Sequence, residues 1–226
     1  METNNKGRLR GALAETGTLI WGAARHPLRT YEKMAHTPSP RGALVFLGTL
    51  AVVAGAINAS LAWGAAGAPG GGGTSPAAAA AVGFGLGGLV AVFGVYLAAS
   101  AVIWGVARAL GSQATFKAVL SAWAGSYVPT AAWFGGLLAF HGLFDPPGAV
   151  DPASLSSAGP AIVQGLFMTF SLAAFLWKAL LLYLTLRVVG KLDFTRIAMA
   201  AVVLAPVAVG YWIIGLSLGW FKVPFI

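Results

Sequence analysis

Side chains able to do acid–base, nucleophilic or metal chemistry are few and scattered in this 226-residue chain. Its histidines are His26, His36 and His141, its carboxylates are Glu2, Glu15, Glu32, Asp145, Asp151 and Asp193, and it has no cysteine. Disulfides, thiolate metal sites and cysteine nucleophiles are therefore excluded. A haem or zinc ion needs ligands that converge on one point. His26 and His36 precede the first long apolar run, whereas His141 lies near the far end of the third, so no two of them clamp a metal inside an apolar core. His141, Asp145 and Asp151 share one end and offer a weak metal set, although Asp before Pro in "FDPPGAVDP" also reads as turn chemistry. Ser126 follows Gly125 in "AGSY" and offers a hydroxyl, but no histidine lies at comparable depth on another run to take its proton. It reads more simply as a small packing residue. Neither a His-Glu-x-x-His motif nor a Gly-x-Ser-x-Gly elbow occurs. The expectation is a protein that is not an enzyme and has no cofactor.

One ionic group stands out by its position. Lys178 interrupts "GLFMTFSLAAFLWKALLLYLTLRVVGK", residues 165–191, nine residues before Arg187 and hence about 13 Å below it along a helix. A lysine at the centre of a bilayer costs about 2.5–3.5 kcal/mol on insertion scales. A snorkelling aliphatic stem lowers that cost. Backbone carbonyls freed by Pro129 (near Gly125) or by Pro206 (near Val202) offer the head a partner. Two roles follow for a site of Lys178, Trp177, Tyr183, Pro129 and Tyr127: a structural polar cluster, or a groove that binds an anionic lipid headgroup.

The elements that must position these residues are apolar throughout. Hydrophobic residues make up 58% of the chain and charged ones 9%, with a mean hydropathy of +0.81, far from the balance of a water-soluble domain. Five apolar runs, at 43–64, 79–108, 117–143, 160–188 and 196–220, are each long enough to cross a hydrocarbon core as a helix. Gly-, Pro- and Ser-rich connectors such as "GAAGAPGGGGTSP" separate them. The first 40 residues hold no apolar core of the secretory-signal kind. The fold class expected is an all-α integral membrane protein, a five-helix bundle over 43–220 preceded by a basic segment over 1–42 and followed by a short tail over 221–226.

Cations set the orientation. Lys6, Arg8, Arg10, Arg25, Arg29, Lys33 and Arg41 precede the first run, Arg108 and Lys117 flank the second connector, and Arg187, Lys191 and Arg196 flank the fourth. The first and third connectors have none. By the positive-inside rule the N-terminus and the even connectors are cytoplasmic and the C-terminus is external. The net charge of +8 then points to an anionic membrane surface as partner rather than nucleic acid. Leu9, Ala12, Leu13, Thr16, Ile20 and Ala23 share one helical face, which predicts an amphipathic helix on the cytoplasmic headgroups ending before Pro27. Arg8, Arg10, Arg25, Arg29, Lys33 and Arg41 form its basic strip. A basic face that serves topology alone is the other reading. In the second run Gly83, Gly87 and Ala91 make a small-residue ridge for close helix packing, within the bundle or against a second copy.

With "RHPLRTYEKMAHTPSPRGALVFL", "GSQATFKAVLSAWAGSYVPTAAWF" and "FLWKALLLYLTLRVVGKLDFTRIAMAAVVLAP" in hand, the chain resembles a bacterial member of the Yip family, the Ypt/Rab-interacting polytopic membrane proteins. The resemblance covers residues 25–220 and implies a multi-pass scaffold of the cell membrane, in a bacterium the inner membrane, that organises membrane and binds lipid or protein. The Asp-Leu-Tyr-Gly-Pro motif of the eukaryotic branch is absent before the first span, so a direct Rab-type GTPase partner is not implied. The competing classes are a small-solute channel and an intramembrane enzyme acting on lipid. Asn58, Tyr96, Ser100, Ser126, Thr130, Gln164 and Thr169 either line a path or bond to neighbouring helices. With every carboxylate in a connector or the N-terminal segment, ion-coupled transport lacks its usual acid.

Overall fold

A computed structural model describes residues 2–66, 74–144 and 161–217, and these are helical apart from turns. The order is α1 (Glu2–Arg25), α2 (Pro27–His36), α3 (Pro40–Ala66), α4 (Thr74–Ala109), α5 (Phe116–Ala124), α6 (Tyr127–Phe144), α7 (Ala161–Leu184), a π-helical turn (Thr185–Val189) and α8 (Phe194–Ser217). The Gly-rich connector, the Asp145/Asp151 connector and the C-terminal tail lie outside the described residues.

The boundaries follow local chemistry. Pro27 opens α2, where its missing N–H costs nothing. The end of α4 is closed by Gly111 at φ +90°, with Gly111 N donating to Arg108 O and Ser112 N to Ala107 O. Thr115 caps α5 by accepting from Ala118 N at 3.3 Å, and Asp193 caps α8 by accepting from Arg196 N at 2.8 Å.

Where one helix over 117–143 was expected, the chain breaks at Gly125–Ser126. Pro129 explains the position: its ring would clash with the carbonyl of Gly125 in a continuous helix. Instead it sits in the first turn of α6, and Gly125 O accepts from Val128 N at 3.1 Å. The carbonyl expected to be free there is already used.

The fourth run ends in a wider turn, in which Gly190 N donates to Thr185 O and Leu192 N to Leu186 O. Lys191 closes it at φ +53°, a conformation that costs a residue with a Cβ about 1–2 kcal/mol. Lys191→Gly is therefore expected to raise the stability of the purified protein by about 1 kcal/mol, read as a higher melting temperature in detergent.

Burial concentrates at one end of the bundle. Tyr31 and Met34 of α2, Phe46 and Leu47 of α3, Ile103 and Ala107 of α4, most of α5, Leu181 and Leu184 of α7, and Leu192 and Ile197 around the last turn form one core. α2 packs on the π turn and on α5, and α1 on α3. Of the face expected to meet the headgroups, Thr16 and Ala23 are buried with Leu19 against the bundle, while Leu13 and Ile20 are exposed. The reason is a close approach to α3, where Thr16 Oγ1 donates to Gly42 O at 3.1 Å.

Away from this core the pattern reverses. Leu166, Met168, Leu172, Leu176 and Leu180 on α7 and Val202, Val203, Val207 and Ile213 on α8 face outward, Val202 at 75% exposure. So large an exposed apolar surface marks a face that meets a membrane or another protein. Val92–Ala109 and Met168–Val189 are long and apolar enough to cross a membrane, and Pro40–Val53 and Phe194–Gly210 are shorter apolar stretches.

Candidate functional site

The break between α5 and α6 builds the most polar part of the interior. Because the chain turns at Gly125–Ser126, the first turn of α6 presents Tyr127 and Thr130 toward α7. Lys178 Nζ donates to Thr130 Oγ1 at 3.3 Å and lies 5.1 Å from the centre of the Tyr127 ring. A ring face attracts a cation, worth about 0.5–2 kcal/mol depending on desolvation. No carboxylate pairs with Lys178 among the described residues. The ammonium thus meets a hydroxyl and a π face, not the kink carbonyls that the prolines suggested. Val202, whose carbonyl Pro206 deprives of its usual donor, belongs to the outward face of α8.

Around Tyr127 the aromatic rings interlock. Tyr96 of α4 and Trp123 of α5 each meet it edge to face, at 5.9 and 6.4 Å between centroids. Tyr96 Oη donates to Leu120 O at 2.5 Å. Trp133 Nε1 donates to Ser171 Oγ at 2.9 Å, which fixes α6 against α7. Ser126 Oγ donates to Trp123 O at 2.7 Å, so its proton serves the turn rather than a catalytic base. Thr169 Oγ1 bonds back to Gly165 O. The hydroxyls that might have lined a solute path are in these cases committed to protein. The side chains of Asn58 and Gln164 lie outside the description, as do those of His141, Gly83, Gly87 and Ala91. No group of three His, Asp or Glu among the described residues is placed to hold a metal.

The remaining expected residues are distributed as follows. Pro129 is buried beside Tyr127, Trp177 packs partly against the core, and Tyr183 is exposed. Arg25, Arg29, Lys33 and Arg41 are all exposed, Arg25 with its guanidinium 4.2 Å over the Trp21 ring. The side chains of Arg8 and Arg10 are not described.

Sequence reasoning missed Tyr31. This residue is fully buried beneath the helix break, with its hydroxyl beside Thr185 of the π turn but short of a hydrogen bond, while Thr185 Oγ1 donates to Leu181 O at 2.9 Å. Burial pushes its phenol well above the ordinary tyrosine value. Gly125 leaves it room: a Cβ there would lie 2.8 Å from Tyr31 Oη. The available signal was the three-residue spacing of Tyr31 and Met34 on a short helix rich in polar residues.

A family model described as the Yip1 domain matches residues 21–217, from the end of α1 to the end of α8. No curated protein and no solved structure matches the chain.

Proposed function

The chain belongs to the Yip1 domain family, and from that premise we propose that it is a non-enzymatic, five-span scaffold of the cell membrane that binds anionic lipid and protein partners. In this reading α3, α4, the α5–α6 pair, α7 and α8 each cross the bilayer. The basic segment and the turns before α5 and α8 face the cytoplasm, and the C-terminus is external. The observation that carries it is the gathering of cations at one end. Arg29 and Lys33 lie on α2, which packs on the π turn bearing Arg187, and the guanidinium of Arg196 lies against Gly111 of the turn after Arg108. Such a cluster suits an anionic leaflet, at about 1 kcal/mol per cation near the surface.

Lys178, with Tyr127 and Thr130, serves in this reading as the joint between α6 and α7. Its bilayer penalty of about 2.5–3.5 kcal/mol is offset by the ring, at about 0.5–2 kcal/mol, by the hydroxyl, at about 1 kcal/mol, and by snorkelling toward the basic end.

Topology is tested by single cysteines, which meet no native thiol. Gly72→Cys and Ser156→Cys are expected to react with a membrane-impermeant maleimide in intact cells, and Ser112→Cys and Asp193→Cys only after permeabilisation. Labelling of Gly72→Cys from the same side as Ser112→Cys would sink the five-span reading.

A further inference from the structure

Val106, Ala109 and Leu110 of α4 and Met199, Val202 and Val203 of α8 line a groove of about 350 Å³. Every lining residue is apolar. Its α4 wall belongs to a segment long and apolar enough to cross a membrane, and its α8 wall to the apolar stretch Phe194–Gly210. The groove therefore opens on hydrocarbon rather than water.

What distinguishes it from the rest of the apolar surface is the charge at its mouth. Arg196 precedes Met199 by three residues and Val203 by seven, which puts all three on one face of α8. Its Nη1 lies 3.2 Å from where a Cβ on Gly111 would be, beside Leu110 of the opposite wall. The guanidinium therefore bridges the first turn of α8 and the turn that closes α4, next to the wall residue Leu110. Its side chain is half exposed, and its contact with Asp193, at 3.5 Å within one helical turn, is of the kind worth at most about 1 kcal/mol. Arg108 turns away, donating to Ser112 O at 3.2 Å and to Gln113 Oε1 at 3.5 Å.

Along the helix axis, Met199 and Val203 lie about 4.5 and 10.5 Å from Arg196. By bilayer dimensions the first lies at the boundary of the interface, about 5–7 Å thick, and the second beside the upper acyl carbons. A guanidinium fork is suited to a phosphate, which it binds through two parallel hydrogen bonds.

We infer that the α4–α8 groove holds one acyl chain of an anionic phospholipid whose phosphate is bound by Arg196. This rests on the lipid-binding part of the proposed function and names its site. Lys178 has no part in it.

Native mass spectrometry of the delipidated full chain in mild detergent, titrated with phosphatidylglycerol or with phosphatidylcholine of the same chains, tests the assignment. Phosphatidylcholine carries the same phosphate but neutralises it with a choline cation that the basic end repels, so wild type is expected to retain one phosphatidylglycerol about tenfold more tightly, a difference of about 1.4 kcal/mol. Arg196→Gln should remove that preference, and Arg196→Lys should keep part of it. Val203→Phe, at a half-exposed position that carries little folding burden, should fill the groove and weaken both lipids. Lys178→Met should change neither. Unaltered retention in Arg196→Gln and Val203→Phe would overturn the inference, as would equal retention of the two lipids by wild type. Loss in Lys178→Met alone would move the lipid to the α6–α7 joint, leaving lipid binding intact but this site wrong. A dimer that Val203→Phe dissolves would assign the groove to a second copy of the chain. No lipid bound by wild type would refute both the groove and the lipid-binding part of the proposed function.

Discussion

Tyr31→Ala is expected to destabilise the purified protein by about 3–5 kcal/mol, the range for removing a large buried aromatic side chain. Tyr31 is fully buried between α2, α5 and the π turn, and Met34 is the other buried side chain of α2. Without the ring, α2 should leave the bundle. Limited trypsin digestion should then cut at Arg29 and Lys33 at protein concentrations and times at which wild type stays intact.

Tyr31→Phe separates the ring from its hydroxyl. That hydroxyl is buried without a hydrogen bond, so its loss is expected to change stability at neutral pH by no more than about 1 kcal/mol, with either sign allowed by relief of desolvation. The difference should appear in alkali. Burial raises the folded-state phenol above its unfolded value, so its contribution is fully present below about pH 10 and is lost as pH rises through the interval above it. Tyr31→Phe should abolish that part of the alkaline loss. Gly125→Ala probes the same contact from the other side. Its Cβ would crowd Tyr31 Oη at 2.8 Å and Ala122 O at 3.1 Å, an overpacking expected to cost about 1–3 kcal/mol. In the Tyr31→Phe background the cost should fall by about 1 kcal/mol. Additive melting temperatures across this cycle would show that the two residues do not meet.

Gly190→Ala is the second large effect. The obstacle to its Cβ is backbone, the carbonyl oxygen of Leu186 at 2.5 Å, and a backbone atom cannot swing aside as a side chain does. The π turn must open. Its opening threatens two bonds that close it, Gly190 N to Thr185 O at 2.9 Å and Leu192 N to Leu186 O at 3.2 Å. Arg187 Nη1 to Leu192 O at 2.9 Å is threatened with them. We expect a loss of about 2–3 kcal/mol, the upper part of the overpacking range. The disturbance should reach α2, which packs on this turn, so the mutant should also show faster cleavage at Lys33. A melting temperature within error of wild type would mean that the turn relaxes without cost.

Several elements of the fold were legible in the residues themselves. The apolar runs at 43–64, 79–108, 160–188 and 196–220 overlap α3, α4, α7 with its π turn, and α8 to within a few residues. Pro27 marks the junction of α1 and α2, and Gly111 the close of α4. The break within 117–143 was legible in principle from Gly125 and Pro129, but a hydropathy pattern does not distinguish a kinked helix from two helices joined by a turn.

Composition and order along the chain determine which solvent it faces, because transfer free energy adds up residue by residue and the spacing of apolar groups sets the helical period. They also determine that every cation but Lys178 lies outside the long apolar runs or near their ends, and that cysteine chemistry is excluded. Tertiary structure alone decides which groups meet: that Lys178 finds Thr130, 48 residues away, that Tyr31 fills the space above Gly125, and that the Arg196 guanidinium comes against Gly111. These contacts join segments remote in sequence, and their energies depend on distances of a few ångströms that no local pattern encodes.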